Sequence, residues 1–185
     1  MPQIERTMLW RRLDAPGHDA CGLWKVDGGW RLAGTAVFLF GGRPCHLAYA
    51  VECDAAWQTR LARVTGWIGR DEVDLILATE AGHWWLNGEE QPQVAGCVDA
   101  DLNFTPATNL IALRRLALRI GEEADAPAAW FDFPDLQLVR LRQRYHRLDE
   151  HRYAYQSPDV GYAGMLEVSE AGFITTYPGL WMLEL

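Results

Sequence analysis

Histidine and cysteine are the residue types here best suited to metal or nucleophilic chemistry, but their spacing favours neither. No two histidines are two or four residues apart, so no pair of metal ligands shares one face of a strand or helix. The cysteines form no Cys-x-x-Cys pair and are far apart, which is typical of buried, reduced thiols. We therefore predict no metal site and no cofactor. The residues are His18, His46, His83, His146, His151, Cys21, Cys45, Cys53 and Cys97.

Sequence motifs for catalysis are also missing. The chain has no GxSxG, GxGxxG, GxxxxGK or HExxH segment. The paired carboxylates Glu89-Glu90 and Glu122-Glu123 lie in polar, turn-like stretches, where solvated loops are expected. We predict a protein that is not an enzyme. The alternative is an enzyme that acts on a lipid or sugar derivative through scattered residues, with Arg144, Tyr145 or His46 as candidates.

Arginines supply the clearest pattern that could bind a ligand. In Leu136 to Leu148, predicted as one strand, one face carries alternate basic residues. One interpretation is a solvated outer stripe held by nearby Asp and Glu. The other is a cavity mouth at which guanidinium groups bind phosphate, carboxylate or sugar hydroxyls. The residues on this face are Arg140, Arg142, Arg144 and His146, and Val139, Leu141, Gln143 and Tyr145 line the other.

Arg114 and Arg115 pose the same choice, because neighbouring residues of a strand point to opposite sides. If this segment is a strand, one arginine faces inward and needs a partner. That partner is either Asp99 or Asp101, or a ligand. Asn109 lies beside a predicted turn and is expected to cap backbone groups.

Composition and charge narrow the class of protein. A chain of 185 residues, 49% hydrophobic and 23% charged, fits a single globular domain over residues 1–185. Nine Trp, six Tyr and six Phe exceed what a core of this size needs and suit the wall of a cavity. A net charge of −8 argues against binding to a phosphate backbone, so we predict no nucleic-acid partner.

The N-terminal sequence MPQIERTMLWRR lacks the apolar core and cleavage site of a secretory signal. No later window approaches eighteen uncharged apolar residues. We expect a cytoplasmic protein without stable membrane insertion. The sequence leaves the oligomeric state undetermined.

Short β-rich runs separated by turn residues dominate the chain, as expected of a barrel or sandwich. Asp27-Gly28-Gly29 is a strong hairpin signal between two of them. We predict a mostly β fold: a many-stranded, antiparallel, curled or partly open β-barrel with at most one or two short helices. The predicted strands are Ile4 to Arg11, Ala20 to Val26, Trp30 to Phe40, Pro44 to Cys53, Trp57 to Ile68, Glu72 to Thr79, His83 to Leu86, Val94 to Phe104, Ala128 to Phe133, Leu136 to Leu148, His151 to Gln156, Gly161 to Ser169 and Phe173 to Tyr177.

Residues 105–121 permit two interpretations. Thr105 suits a helix N-cap and Pro106 a first helical position, so a helix could run to Gly121. We favour the alternative, one helical turn followed by a strand from Ile111 to Arg119.

The two faces of the predicted strands differ in polarity. In Trp30 to Phe40 both faces are apolar, which predicts burial on both sides. In Pro44 to Cys53 one face is apolar and the other carries His46 and Glu52, which predicts one wet side.

Several segments resemble the putative glycolipid-binding family of bacteria. As a set in this order they are fairly specific, and they extend over almost the whole chain. They are Leu9-Trp10, Asp14 to His18, Gly29-Trp30-Arg31-Leu32, Val51-Glu52-Cys53-Asp54, Asn103-Phe104-Thr105-Pro106-Ala107-Thr108-Asn109, Ile111-Ala112-Leu113-Arg114-Arg115-Leu116, Gln143-Arg144-Tyr145 and Tyr177-Pro178-Gly179-Leu180-Trp181.

The resemblance implies an open, curled β-barrel similar to bacterial lipoprotein carriers, which hold acyl chains in a hydrophobic cavity. It implies no catalytic residues. Unlike such carriers, this chain shows no export signal and no lipid-attachment cysteine near its start.

We expect non-catalytic binding of a lipid, glycolipid or other amphiphilic small molecule in an apolar cavity. The alternatives are the enzyme described above and a protein-interaction module. The predicted walls are Trp30, Phe38, Trp67, Tyr145 and Trp181, with Arg115 and Arg144 near polar atoms of the ligand.

Overall fold

A computed structural model describes residues 3–184 of the chain, and these form seventeen strands and one α-helix. In chain order the elements are β1 (Ile4–Arg12), β2 (Gly17–Val26), β3 (Gly29–Phe40), β4 (Arg43–Asp54), β5 (Thr59–Ile68), β6 (Asp71–Glu80), β7 (His83–Leu86), β8 (Glu89–Glu90), β9 (Asp99–Leu102), α1 (Asn109–Leu116), β10 (Glu123–Asp125), β11 (Ala128–Asp132), β12 (Gln137–Leu141), β13 (Arg144–Arg147), β14 (Arg152–Ser157), β15 (Tyr162–Val168), β16 (Ile174–Tyr177) and β17 (Trp181–Leu183).

Fourteen strands form one antiparallel sheet in the order β10-β13-β14-β15-β16-β17-β1-β2-β3-β4-β5-β6-β7-β8. The sheet curls but does not close, because β10 and β8 remain at its two ends. This confirms the predicted mostly β, curled and partly open barrel with at most two short helices. The pairing of β1 with β17 joins the first and last strands and holds the two halves of the chain in one sheet.

Both edges of the large sheet are short and acidic. β8 consists of Glu89 and Glu90, and β10 carries Glu123 and Asp125. Short, charged edge strands oppose the addition of a further strand from another chain. The two edge strands therefore oppose strand pairing with another chain, although the barrel is not closed.

The first six strands form a regular meander of long strands joined by tight turns. Gly28, Gly41 and Gly42 adopt positive φ in these turns, as the predicted hairpins require. In β4 the apolar face is buried and the other face partly wet, as predicted. The prediction that β3 is buried on both faces is wrong, since Val37 is 50% exposed. Isolated apolar side chains are common on protein surfaces, so apolar character alone does not predict burial.

A second sheet has three strands in the order β12-β11-β9. Its β9 and β11 are parallel, with Ala128 opposite Asp99. The predicted strand from Val94 to Phe104 is therefore only partly correct, because a 3₁₀ turn occupies Pro92–Val94 and β9 has four residues. Pro92 fixes φ and lacks an N–H donor, which suits the start of such a turn.

The strand predicted from Ile111 to Arg119 is wrong, because α1 occupies Asn109–Leu116. Turn-like hydrogen bonds lead into the helix, and the Thr105 hydroxyl accepts one from the Ala107 N–H. Ala117 ends the helix in a left-handed conformation at φ 46°. The apolar side chains at the start of α1 are packed on two sides, so they show no simple amphipathic period.

The single strand predicted from Leu136 to Leu148 is also wrong. The chain divides there into β12 and β13, which belong to different sheets. At the break, the Arg142 N–H donates to the Asp159 carboxylate rather than to a neighbouring strand, and the Gln143 amide turns inward to Asp101. Side chains far away in sequence thus interrupt a pattern that is locally regular.

Helix α1 and the three-stranded sheet fill much of the interior of the curled sheet. One buried cluster joins Leu110 and Ile111 to strands of the meander and to Phe131 of the small sheet. A second joins Ala112 and Leu113 to the C-terminal strands. The helix therefore lies between two packed clusters.

Candidate functional site

Three tyrosines on neighbouring C-terminal strands form an aromatic cluster. Tyr155, Tyr162 and Tyr177 come from β14, β15 and β16, and the centroids of each pair of rings are 5.1–5.9 Å apart. The Tyr162 ring folds over Gly164, where a Cβ would approach the Tyr162 hydroxyl to 2.6 Å. The Tyr162 hydroxyl donates to the Pro178 carbonyl at 3.0 Å. A glycine two residues later thus makes room for this orientation.

These tyrosines border a cavity of about 270 Å³ between the C-terminal strands and the segment of residues 101–109. Its wall combines aromatic and aliphatic side chains with convergent polar groups, the usual composition of a small-molecule site. The lining residues are Asp101, Asn103, Thr105, Asn109, Trp130, Leu141, Tyr155, Ser157, Val160, Tyr162, Tyr177, Leu180 and Trp181.

Asp101 is the charged residue in this lining. Its carboxylate accepts hydrogen bonds from the Gln143 amide and, at 3.4 Å, from the Thr108 hydroxyl. Burial raises the pKa of Asp101 to about 6, and these two hydrogen bonds partly oppose the shift. Both partners are neutral, so no cation balances the carboxylate directly.

A second buried carboxylate lies behind the cavity wall. Asp19 accepts hydrogen bonds from the hydroxyls of Tyr49 and Thr105, and Thr105 itself lines the cavity. Burial raises the pKa of Asp19 to about 6. Gly34 leaves space for the Tyr49 hydroxyl, since a Cβ there would lie 2.4 Å from it. A glycine on β3 therefore allows a tyrosine of β4 to reach Asp19.

Two further polar contacts support the same region from α1. Arg115 forms a two-pronged ion pair with Asp99, with nitrogen–oxygen distances of 2.7 and 2.6 Å. The Asn109 amide donates to the Tyr145 hydroxyl at 3.0 Å. This corrects the expectation that Asn109 caps backbone groups. The first contact fixes the helix against β9, which borders the cavity, and the second fixes it against β13 behind the cavity.

Trp181 is the predicted wall residue that lines the cavity. Tyr145 is fully buried behind it and is connected through Asn109, which does line the cavity. The structure thus brings these two residues near the same cavity. Contact of either side chain with a ligand stays a prediction.

Three other predicted wall residues do not line the cavity. Trp30 stacks on Trp57 with ring centroids 4.9 Å apart, and Phe38 is buried in the core. Trp67 stacks on His46 and is 40% exposed. Aromatic residues were thus distributed between core, surface and cavity, and their type alone did not distinguish these places.

The two predicted ligand-binding arginines are both paired with acidic residues. Arg115 has the Asp99 partner that was one of its predicted alternatives. Arg144 is exposed and contacts Glu123. Arg142 pairs with Asp159 at 2.5 Å, so two members of the basic stripe match its interpretation as a solvated surface held by acidic side chains.

The arginine stripe borders a separate outer depression of about 430 Å³. Arg140, Arg142 and Arg144 line it together with Gln143. Gln143 is buried and donates to Asp101, so it separates this depression from the inner cavity. The guanidinium groups therefore do not enter the aromatic cavity.

Sequence reasoning missed Asp101, Trp130 and the tyrosine cluster as site residues. The segment from Asn103 to Asn109 was the available signal, because its polar residues interrupt the β pattern and three of them line the cavity. Arg12 was also missed. Its guanidinium lies 4.6 Å from the ring centroid of Phe38 and 5.5 Å from that of Trp181.

The four cysteines are buried and free, as expected. Within residues 3–184, no group of three or more His, Cys, Asp or Glu side chains is arranged to hold a metal ion. In the same range, no helix is long and apolar enough to cross a membrane.

The fold places the protein in the class of curled, partly open β-barrels with strands wrapped around a short helix. The chain belongs to the putative glycolipid-binding family, whose sequence profile matches residues 7–182. The crystal structure of a DUF1089 family protein from Pseudomonas aeruginosa is similar, with a TM-score of 0.79 and 30% sequence identity over 89% of this chain and 90% of that one. No curated protein matches the chain significantly.

Proposed function

We propose that the protein binds an amphiphilic small molecule, such as a glycolipid, without chemical change, and that the aromatic cavity holds its polar part. The observation that carries this proposal is the combination of Trp130, Trp181 and the tyrosine cluster with Asp101 in one wall. Aromatic rings pack on the apolar faces of a sugar-like group, and polar side chains accept its hydroxyl donors. The glycolipid in the family's name agrees with this chemistry.

The small volume limits which part of the ligand is enclosed. At about 270 Å³ the cavity is slightly smaller than the usual range for drug-sized molecules. We therefore assign the enclosed part to the head group and leave the acyl chains outside. This differs from a carrier that encloses acyl chains throughout an apolar barrel.

Titration calorimetry with octyl glucoside below its critical micelle concentration tests the proposal. We expect saturable binding that weakens at least about tenfold in Trp130→Ala, because a ring in the wall is lost. Trp67→Ala removes an exposed tryptophan of the outer face and serves as the matched control. Trp130→Phe should retain intermediate affinity, which separates loss of the ring from loss of the fold.

Absence of saturable binding in the unmodified protein would contradict the proposal, as would equal losses in Trp130→Ala and Trp67→Ala. Native mass spectrometry with organic extraction provides a second test. A co-purified amphiphile should be found with the unmodified protein and be depleted in Trp130→Ala.

One observation favours a second candidate, an enzyme acting on a lipid or sugar derivative. Asp101 and Asp19 have pKa values raised to about 6 at and behind the cavity wall, near the range useful for proton transfer. As candidates for catalysis, these two aspartates replace Arg144 and His46, which do not line the cavity. Turnover of glycoside or ester substrates that is lost in Asp101→Asn would support this candidate, whereas no turnover by the unmodified protein would leave binding as the function.

A further inference from the structure

We infer that the cavity selects ligands whose sugar-like head group carries a protonated amine, and that it rejects anionic head groups. This inference rests on the proposed function. It concerns the charge of the ligand, which neither the family's name nor the related structure specifies.

The wall of the cavity carries a negative charge without a matching positive one. Among its thirteen lining residues, Asp101 has an acidic side chain and none has a lysine or arginine side chain. The Asp101 carboxylate is held by an amide and a hydroxyl, which are neutral donors. A positive group on a ligand would supply the missing countercharge.

The groups around Asp101 do not neutralise its charge. Asp99 on the same strand is paired with Arg115 and contributes little net charge. Asp19, behind Thr105, has hydroxyl partners only and adds a second negative charge. The tyrosines around Asp101 stay neutral because burial raises the pKa of each hydroxyl. They are Tyr145, Tyr155 and Tyr177.

The aromatic side chains of the wall also favour a cation. Ring faces attract cations through the negative charge density above the plane, and an ammonium group gains most when water is excluded. An anionic group would instead lose hydration without finding a guanidinium partner. The nearby arginines cannot supply one, because Arg12 is bound to Asp14 and Arg115 to Asp99.

Three octyl glycosides that differ in charge provide the test: the glucoside, the 2-amino-2-deoxyglucoside and the glucuronide. At pH 7 the amine should bind at least about tenfold more tightly than the glucoside, and the glucuronide at least about tenfold more weakly. In Asp101→Asn, which keeps the shape of the side chain, the amine should lose this advantage. Asp74→Asn removes an exposed carboxylate and is the control that should keep the order.

A second measurement uses the unmodified protein and so does not depend on how Asp101→Asn folds. The advantage of the amine over the glucoside should shrink between pH 7 and pH 5, because Asp101 becomes protonated below its raised pKa of about 6. The other charged groups that face this region are Asp99, Asp19, Arg115 and Arg12. Asp19 changes in the same direction as Asp101.

The outcomes distinguish the two proposals. Equal affinity for all three glycosides, or tighter binding of the glucuronide, would overturn the charge selection and leave the proposed function intact. Persistence of the charge order in Asp101→Asn would overturn the role of Asp101. Binding of none of the three would refute the proposed function together with this inference.

Discussion

The N-terminal meander, β1 to β6, and the C-terminal half after residue 98 are built from different kinds of sequence. The meander has strands of nine to twelve residues, each paired with its neighbour along the chain. The C-terminal half has strands of three to seven residues, one helix and a parallel pair. The meander, with its regular alternation of apolar and polar residues, forms a wall of the curled sheet. The less regular C-terminal half supplies the helix and the small sheet that pack inside it.

Buried polar groups show the same division. Among the described residues, six of the eight buried polar or charged side chains follow residue 98. Asp19 and Thr59 are the two from the meander, and each contacts the C-terminal half. The meander is thus stabilised mainly by apolar burial, whereas the site region combines apolar burial with specific hydrogen bonds and a buried ion pair. Substitutions in the two regions should therefore differ in their effect on the free energy of unfolding.

The largest effect is expected for Leu47→Ala in β4. Leu47 is fully buried, so truncation leaves a cavity and should lower the free energy of unfolding by about 3–4 kcal/mol. Urea denaturation measures the change. Leu39→Ala on β3 is the matched control, since Leu39 is 40% exposed and its loss should cost under about 1 kcal/mol. Similar losses in the two variants would contradict the description of the meander as a wall with one buried and one exposed face.

Arg115→Met should cost about 3 kcal/mol, because it leaves the buried Asp99 carboxylate without its cation. The exposed pair Arg63–Asp74 of the meander provides the comparison, and Arg63→Met should cost less than about 1 kcal/mol. Adding Asp99→Asn to Arg115→Met should restore part of the loss. A small effect of Arg115→Met, equal to that of Arg63→Met, would show that the ion pair does not stabilise the site region.

Asp19→Asn should change how stability depends on pH. The raised pKa means that the folded protein binds this proton more tightly than the unfolded chain does between pH 3.8 and about 6. The contribution of Asp19 to stability therefore falls as pH rises through this window and is constant above it. Relative to the unmodified protein, Asp19→Asn should gain about 2 kcal/mol between pH 4 and pH 7.

Urea denaturation at the two pH values measures this gain. Asp74→Asn, at an exposed position of β6, is the control. A difference between Asp19→Asn and the unmodified protein that does not change with pH would refute the raised pKa.

The smallest effect is expected where the two regions meet. The Thr59 hydroxyl of β5 accepts a hydrogen bond from the Ala100 N–H of β9 at 2.9 Å. Thr59→Val keeps the shape but leaves that buried donor without its partner, which should cost about 1–2 kcal/mol. Thr65→Val, on the same strand and partly exposed, should change the free energy of unfolding by less than about 0.5 kcal/mol. Equal changes would mean that this contact does not join the regions.

The meander could be predicted from the sequence because its information is local. Turn residues such as Gly28 and Gly42 fix where strands end, and alternation in β4 fixes which face is buried. The segment from Leu136 to Leu148 shows the limit of that reasoning. Its alternation continues through Arg142, but Asp159 and Asp101 bind the chain there and divide it between two sheets.

The candidate site was predicted less completely than the fold. Trp181 was identified and lines the cavity, whereas Trp67 was identified and lies on the outer surface. An aromatic side chain is expected to pack against apolar groups, but its type does not specify whether these belong to the core, the surface or the cavity. From the sequence, Asp101 was predicted only as a possible partner of an inward-facing arginine. In the structure Arg115 pairs with Asp99.

By itself the sequence determined the β class, the hairpins, the acidic balance of charge and the family, because each depends on residue type or on neighbours along the chain. The tertiary structure decided that α1 fills the curled sheet, that Asp101 faces the tyrosine cluster and that the arginines lie outside. Those results depend on contacts between residues tens of positions apart, whose geometry no local pattern encodes.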